Sequence, residues 1–303
     1  MHRRRYLVGL GATAAFAGCL GDSGPLRGER RDPDAQSLGG SSVARALTLA
    51  VTTTTHDSGL LDVLNPAFEA TFDTTVRPVV RGTGAALRTG RDGDCDVVFV
   101  HSRPAEDEFI AAGDGINRRD VMVNDFLIVG PPDDPASVAG RGPSAAFERV
   151  ATTGSRFLSR GDDSGTHDRE RRLWTAAGVA PTGSWYRETG QGMGNTLVAA
   201  DQQGAYTLAD RGTFRSLAGR IGLVAHVDTG LDDPHPLLRN EYGAIAVNPA
   251  RHDVAYPEAM AYLGFLTGPA QSLVDSFRVG GTPVFRPTAL SGDPNFEQYV
   301  PRS

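Results

Sequence analysis

From Ala46 onward, stretches that read as β-strand alternate with stretches that read as helix. Ala46-Leu47-Thr48-Leu49-Ala50-Val51 is a short apolar, β-prone run closed by a threonine-rich turn, and the amphipathic stretch from Gly59 to Phe72 follows it. Thr75 to Val80 is a second strand, leading through Arg81-Gly82-Thr83-Gly84 into a helix near Ala85. Cys95 to Val100 makes a buried strand and Val121 to Val129 another. Alternation of this kind predicts an α/β fold on a largely parallel, covered sheet.

Gly130-Pro131-Pro132-Asp133-Asp134-Pro135 is a strong break and marks the first crossing into a second lobe. That lobe is expected to hold a strand at Arg156 to Ser159, helices at Thr166 to Ala177 and Met193 to Gln203, and a strand near Ala205. Tyr242 to Val247 then returns the chain, and a helix from Pro257 to Leu266 rejoins the first lobe. The expected organisation is lobe 1 from 45–130 and 240–303, lobe 2 from 131–239, and a central cleft able to close on a ligand. With 303 residues, 40% hydrophobic and 22% charged, the chain has enough material for two such cores.

The amino terminus reads as an address. Arg3-Arg4-Arg5, an apolar stretch from Tyr6 to Phe16 and small residues before Cys19 form a signal peptide over 1–18, of twin-arginine type. The apolar run is shorter than the roughly 20 residues a membrane-spanning helix needs. Phe16-Ala17-Gly18-Cys19 resembles a lipobox, which makes Cys19 the candidate lipid attachment. Residues 19–44, rich in Gly, Ser, Asp, Pro and Arg, are expected to form a flexible tether at the outer face of the cell membrane. Cys95 is then the single thiol of the folded body and has no intramolecular partner.

Composition and spacing exclude several functions. The net charge of −6 and the lack of basic clusters with stacking aromatics argue against nucleic acid; all 30 basic residues are arginine. Seven histidines stand singly, without His-x-x-x-His or Cys-x-x-Cys spacing, so no resident metal is expected. The glycine clusters match neither a Walker A loop nor a dinucleotide fingerprint, so no cofactor is expected. Ser164 and His167 invite a hydrolase reading, but Gly161-Asp162-Asp163-Ser164-Gly165 misses the Gly-x-Ser-x-Gly spacing, and the chain is not expected to be an enzyme.

What remains is a set of strand-to-helix joints. Thr52-Thr53-Thr54-Thr55-His56-Asp57-Ser58-Gly59 sits at a strand's carboxyl end before a helix, where free N–H groups and hydroxyls suit an anion. Ordinary helix capping explains the same residues. Thr83 lies at a second such start. Ser159-Arg160-Gly161-Asp162-Asp163-Ser164-Gly165-Thr166-His167 adds a permanently charged fork of donors at Arg160, unless that guanidinium only pairs with Asp162 or Asp163. Tyr206, Thr207 and Arg211 either line the cleft or pack structurally.

These segments, with Asp94-Cys95-Asp96-Val97, Asn117 to Phe126, Glu188 to Gly194 and Ala205 to Gly212, resemble the tungstate-binding proteins of ABC transporters. That group is a branch of the type II periplasmic-binding-protein-like family, and the resemblance spans roughly Leu47 to Pro287. It implies two α/β lobes gripping tungstate, with Thr52, Thr53, Thr54 and Thr83 on one wall and Arg160, Ser164, Gly165 and Thr166 on the other. It further implies a monomer that delivers its ligand to a membrane permease driven by a separate ATPase. Molybdate or phosphate are the alternative ligands of the same fold. Val51 stands where the family pattern has threonine and Thr54 where it has serine, so Thr54 keeps the hydroxyl but adds a methyl group.

Overall fold

The computed structural model describes residues 45–290 together with Gln298, Tyr299 and Pro301. The signal segment, Cys19 and the tether lie outside the described residues. In chain order the first elements are β1 (Arg45–Thr52), α1 (Thr53–Asp57), α2 (Leu61–Phe72), β2 (Thr74–Arg81), α3 (Thr83–Arg91), β3 (Val97–Val100), α4 (Arg103–Ala111) and β4 (Gly115–Gly130). Then come α5 (Pro143–Thr153), β5 (Phe157–Ser159), α6 (Gly165–Ala176), β6 (Tyr186–Glu188), α7 (Met193–Gln203), β7 (Thr207–Asp210), α8 (Arg211–Leu217) and β8 (Val224–Val227). The chain closes with β9 (Arg239–Val247), α9 (Tyr256–Leu266), α10 (Ala270–Ser276), β10 (Arg278–Val279), β11 (Thr282–Pro283) and β12 (Arg286–Pro287). Among the described residues no helix is long and apolar enough to cross a membrane.

The fold is mixed α/β, and the expectation of a largely parallel sheet is corrected. The main sheet runs β12-β4-β9-β3-β1-β2, with β7 and β8 also paired to β4. Only β1 with β2 and β1 with β3 are parallel; β3 with β9, β9 with β4, and β4 with β7, β8 and β12 are antiparallel. The cause is the route of the chain. β4 carries it out of the first core region, β9 brings it back, and the two run in opposite directions as hydrogen-bonded neighbours, with no crossover helix required between them.

Buried apolar residues segregate along the chain. One set, including Leu47, Leu49, Phe68, Phe99, Tyr262 and Phe265, draws on 47–122 and 242–285, with a companion group around Val98, Phe109 and Ile245 on the sheet's other face. The other set draws on 126–238 and centres on Phe147, Phe157 and Trp174 beside a group around Leu158 and Leu197. α2 shows how the sequence builds this packing. Leu61, Leu64 and Phe68 recur on one helical face, and Phe68 meets Tyr262 edge-on with ring centroids 4.9 Å apart. The four residues of β3 are all buried, as a strand covered on both faces requires.

Candidate functional site

The carboxyl ends of the strands bring the polar joints together. β1 ends at Thr52, and Thr53 and Thr54 open α1; β2 ends at Arg81, after which Gly82 caps α3 and Thr83 is its first residue. From the other core region, β5 ends at Ser159, Arg160 follows, and Ser164 caps α6. Thr52, Thr53, Thr54, Gly82, Thr83, His101, Arg160, Ser164 and Gly165 line one inner space of about 10 Å³, on the order of a single water-sized body. A wider space of about 360 Å³ shares Thr53, Thr54, Gly82, Arg160 and Ser164, and adds Asp57, Asp162, Gly192, Met193, Gly194 and Thr213. Seven of the eight expected contact residues therefore line one place; Thr166 does not.

The walls are rich in donors. α1, α3 and α7 each start with no side-chain cap on their first N–H groups and no acidic residue in their first turn. Such uncapped starts leave N–H groups to a ligand. Ser164 does cap its helix, accepting from the His167 N–H at 3.3 Å. Thr52 and Thr54 are buried, with hydroxyl oxygens 3.2 Å apart.

Arg160 is 4% exposed. Its Nη2 donates to Asp162 Oδ2 at 2.5 Å and its Nη1 to Thr166 Oγ1 at 3.3 Å, so Thr166 props the guanidinium from behind. The pairing with Asp162 occupies only part of the fork, because Nε is buried with no partner. The Gly190 N–H holds the Arg160 carbonyl at 2.8 Å. Gly161 next to it has φ +58°, and a Cβ there would lie 2.5 Å from Glu188 Cβ, so the turn that aims Arg160 accepts no side chain.

Sequence reasoning missed a polar layer behind the threonines. His101, which follows β3 directly, places Nε2 at 2.9 Å from Thr54 Oγ1 and Nδ1 at 3.1 Å from Asn240 Oδ1. Asn240 in turn donates to Asn124 Oδ1 at 2.7 Å and to the Tyr242 hydroxyl at 3.2 Å. Burial above all, with Arg160 and Arg169 nearby, pushes the His101 imidazole down to about 4, so the ring is neutral at physiological pH. The available signal was position: a polar residue at the carboxyl end of a buried strand of an α/β sheet faces the usual ligand crevice. α6 touches this layer from across the cleft, for a Cβ on Gly165 would stand 2.8 Å from His101 Cε1 and 3.4 Å from Thr83 Oγ1.

Other candidates take structural places. Tyr206 donates to Asp134 at 2.6 Å and receives the Ala136 N–H at 3.0 Å within a core. Arg211 grips Asp125 through two bonds of 2.5 and 2.6 Å and also binds Asp228. His167 Nδ1 accepts from the Asp163 N–H at 3.1 Å, so that ring nitrogen is not aimed at the Ser164 hydroxyl. A larger cavity of about 660 Å³ lies on the far side of His101 and Gly165, but its Arg103, Arg172 and Arg239 are ion-paired to Asp107, Asp168 and Glu241. Among the described residues, no His, Cys, Asp and Glu cluster could hold a metal ion.

The α/β chain thus gathers uncapped helix starts and a buried arginine around one small space rich in donors. The PBP superfamily domain model matches residues 38–270, and the chain belongs to that superfamily. An anion-binding protein assigned to an ABC transporter in Haloferax volcanii is 51% identical, covering 99% of this chain and 90% of that protein. The tungstate-binding protein TupA of Peptoclostridium acidaminophilum is 41% identical over 91% of this chain and 94% of its own length. The crystal structure of the tungstate ABC transporter from Geobacter sulfurreducens shares 47% identity and a TM-score of 0.67, covering 74% of this chain and 94% of that one.

Proposed function

We propose that this protein captures tungstate between two lobes, taken as 45–130 with 240–303 and 131–239, and hands it to an ABC permease. The observation that carries the reading is Arg160: a buried guanidinium whose Nε has no partner beside an inner space with no carboxylate in its lining. A fully deprotonated, doubly charged oxyanion satisfies such donors without offering a proton that needs an acceptor. Thr52, Thr53, Thr54 and Thr83 supply one wall, and Arg160, Ser164 and Gly165 the other. Tungstate as the ligand draws on the relatives that carry it in their names.

Closure follows if the ligand binds the closed arrangement better than the open one. Export, attachment through lipidated Cys19 and a monomeric working form complete the proposal. Phosphate is disfavoured because neither carboxylate of the wider space lines the inner one: Asp162 is bonded to Arg160 and to the Ser164 N–H, and Asp57 lies 3.2 Å from His56 Nδ1. The test is competitive calorimetric titration of the purified protein against tungstate, molybdate, sulfate and phosphate. Tungstate is expected to win; preference for phosphate or sulfate would sink the assignment, and no binding of any oxyanion would sink the site.

A further inference from the structure

Behind Thr54 lies a chain of hydrogen bonds whose direction follows from the orientation of the Asn240 amide. Asn240 uses its Nδ2 to donate to Asn124 Oδ1 and to the Tyr242 hydroxyl, so the atom it turns to His101 is its carbonyl oxygen. That oxygen only accepts, so His101 Nδ1 carries a hydrogen. In a neutral ring Nε2 is then bare, and the Thr54 hydroxyl donates to it at 2.9 Å. Thr54 has one hydroxyl hydrogen, and it is committed inward. Thr52 donates to Thr54 Oγ1 at 3.2 Å in consequence, and Thr55 to Thr52 Oγ1 at 2.7 Å. With His101 neutral, Thr52 and Thr54 therefore offer the pocket lone pairs, the wrong end of the hydroxyl for an anion.

We propose that oxyanion binding is coupled to the uptake of one proton at His101 Nε2, which makes His101 the positioning residue of the threonine wall. The proton comes from solvent and no other bond breaks. Nε2–H then donates to Thr54 Oγ1, the Thr54 hydrogen is released to the ligand, and Nδ1–H stays on Asn240. This inference rests on the anion-binding reading of the pocket.

The groups that face His101 explain why the proton arrives with the ligand. Arg160 and Arg169 are positive and oppose protonation of the empty site, and burial opposes it more. Tyr242 packs at a ring-centroid distance of 4.9 Å, and the buried Asp210 stands near both Tyr242 and Arg160. In the wide cavity that His101 also lines, Asp107, Asp168 and Glu241 are ion-paired to arginines and Glu108 is exposed. A dianion in the inner space supplies the missing negative charge next to the ring. Its arrival raises the imidazole's proton affinity, so binding is tightest at low pH and weakens as pH rises, by up to about tenfold per unit for one linked proton.

The experiment is calorimetry of micromolar tungstate binding to the purified protein at about pH 6.5 and about pH 8.5, each in two buffers of different ionisation heat. Wild type is expected to take up close to one proton at the lower pH and to bind more weakly at the higher. His101→Gln, whose amide donates to Thr54 without titrating, is expected to show buffer-independent heats and a flat pH profile. In nitrogen-15 spectra of the wild-type complex, both His101 ring nitrogens should carry hydrogens. Tungstate binding with buffer-independent heat in wild type would overturn the proposal while leaving the binder intact. Uptake that survives in His101→Gln would assign the proton to Asp210 instead and also overturn it. No tungstate binding at either pH would remove the anion-binding reading and this inference together.

Discussion

Replacing Gly165 with alanine isolates the closeness of the two walls from the stability of either. Gly165 is the first residue of α6, with an ordinary backbone, so the helix itself favours alanine by up to about 1 kcal/mol. The added Cβ would sit 2.8 Å from His101 Cε1, 3.0 Å from its Nδ1 and 3.4 Å from Thr83 Oγ1. His101 cannot swing aside, because Thr54 and Asn240 hold both ring nitrogens. Forcing a methyl into a packed contact costs about 1–3 kcal/mol. Here the cost falls on the approach of α6 to the first wall, which under the proposed closure the unliganded protein relaxes by opening. Tungstate affinity is therefore expected to drop about 5- to 150-fold, while the thermal midpoint without ligand holds or rises slightly. Titration calorimetry and thermal melts on the same preparation make the comparison. Full affinity in the variant would refute the reasoning, as would a lowered midpoint with unchanged binding.

Arg160→Ala should weaken oxyanion binding by at least about 1.5 kcal/mol, the low end for losing a charged donor; unchanged affinity in a titration would reduce Arg160 to a loop prop. Glu170 gives a pH prediction. Burial above all raises its carboxyl to about 7, and the group receives the Trp174 N–H and the Tyr186 hydroxyl, both at 3.0 Å. A carboxyl raised in the folded state contributes stability that is complete below its unfolded value near 4.5 and is lost as pH rises through about 7. Urea unfolding should accordingly show Glu170→Gln gaining up to about 3 kcal/mol on wild type at pH 8 and nothing at pH 4. A pH-independent difference would mean that Glu170 does not titrate in that range.

Much of the fold was legible because its signals are local. The apolar run before Thr52, the Gly-flanked start at Thr83 and the span Met193–Gln203 each carry their own period or cap, and the structure puts elements there. The strand directions were not legible. β9 lies antiparallel to both β3 and β4 because of where the chain re-enters the first core region, and no local pattern encodes that return. The candidate site divides the same way. Thr52, Thr83 and Arg160 sit at joints that announce themselves, whereas His101, Asn124 and Asn240 are single polar residues more than 20 positions apart in the chain. Only the register that pairs Asn124 with Asn240, and the packing of His101 against them, turns three unremarkable side chains into one network.

That register has a mechanical consequence. The segments that pass between the two core regions, β4 at Asn124–Asp125 and β9 at Arg239–Asn240, are paired residue for residue where they cross. A two-stranded ribbon flexes readily out of its own plane and resists shear within it, since sliding one strand along the other would break the ladder. The crossing is thus built like a leaf spring, with one soft direction across the plane of the ribbon. Because Asn124 and Asn240 sit on that spring and also hold His101, bending it tugs on the same side chain that orients the Thr54 hydroxyl.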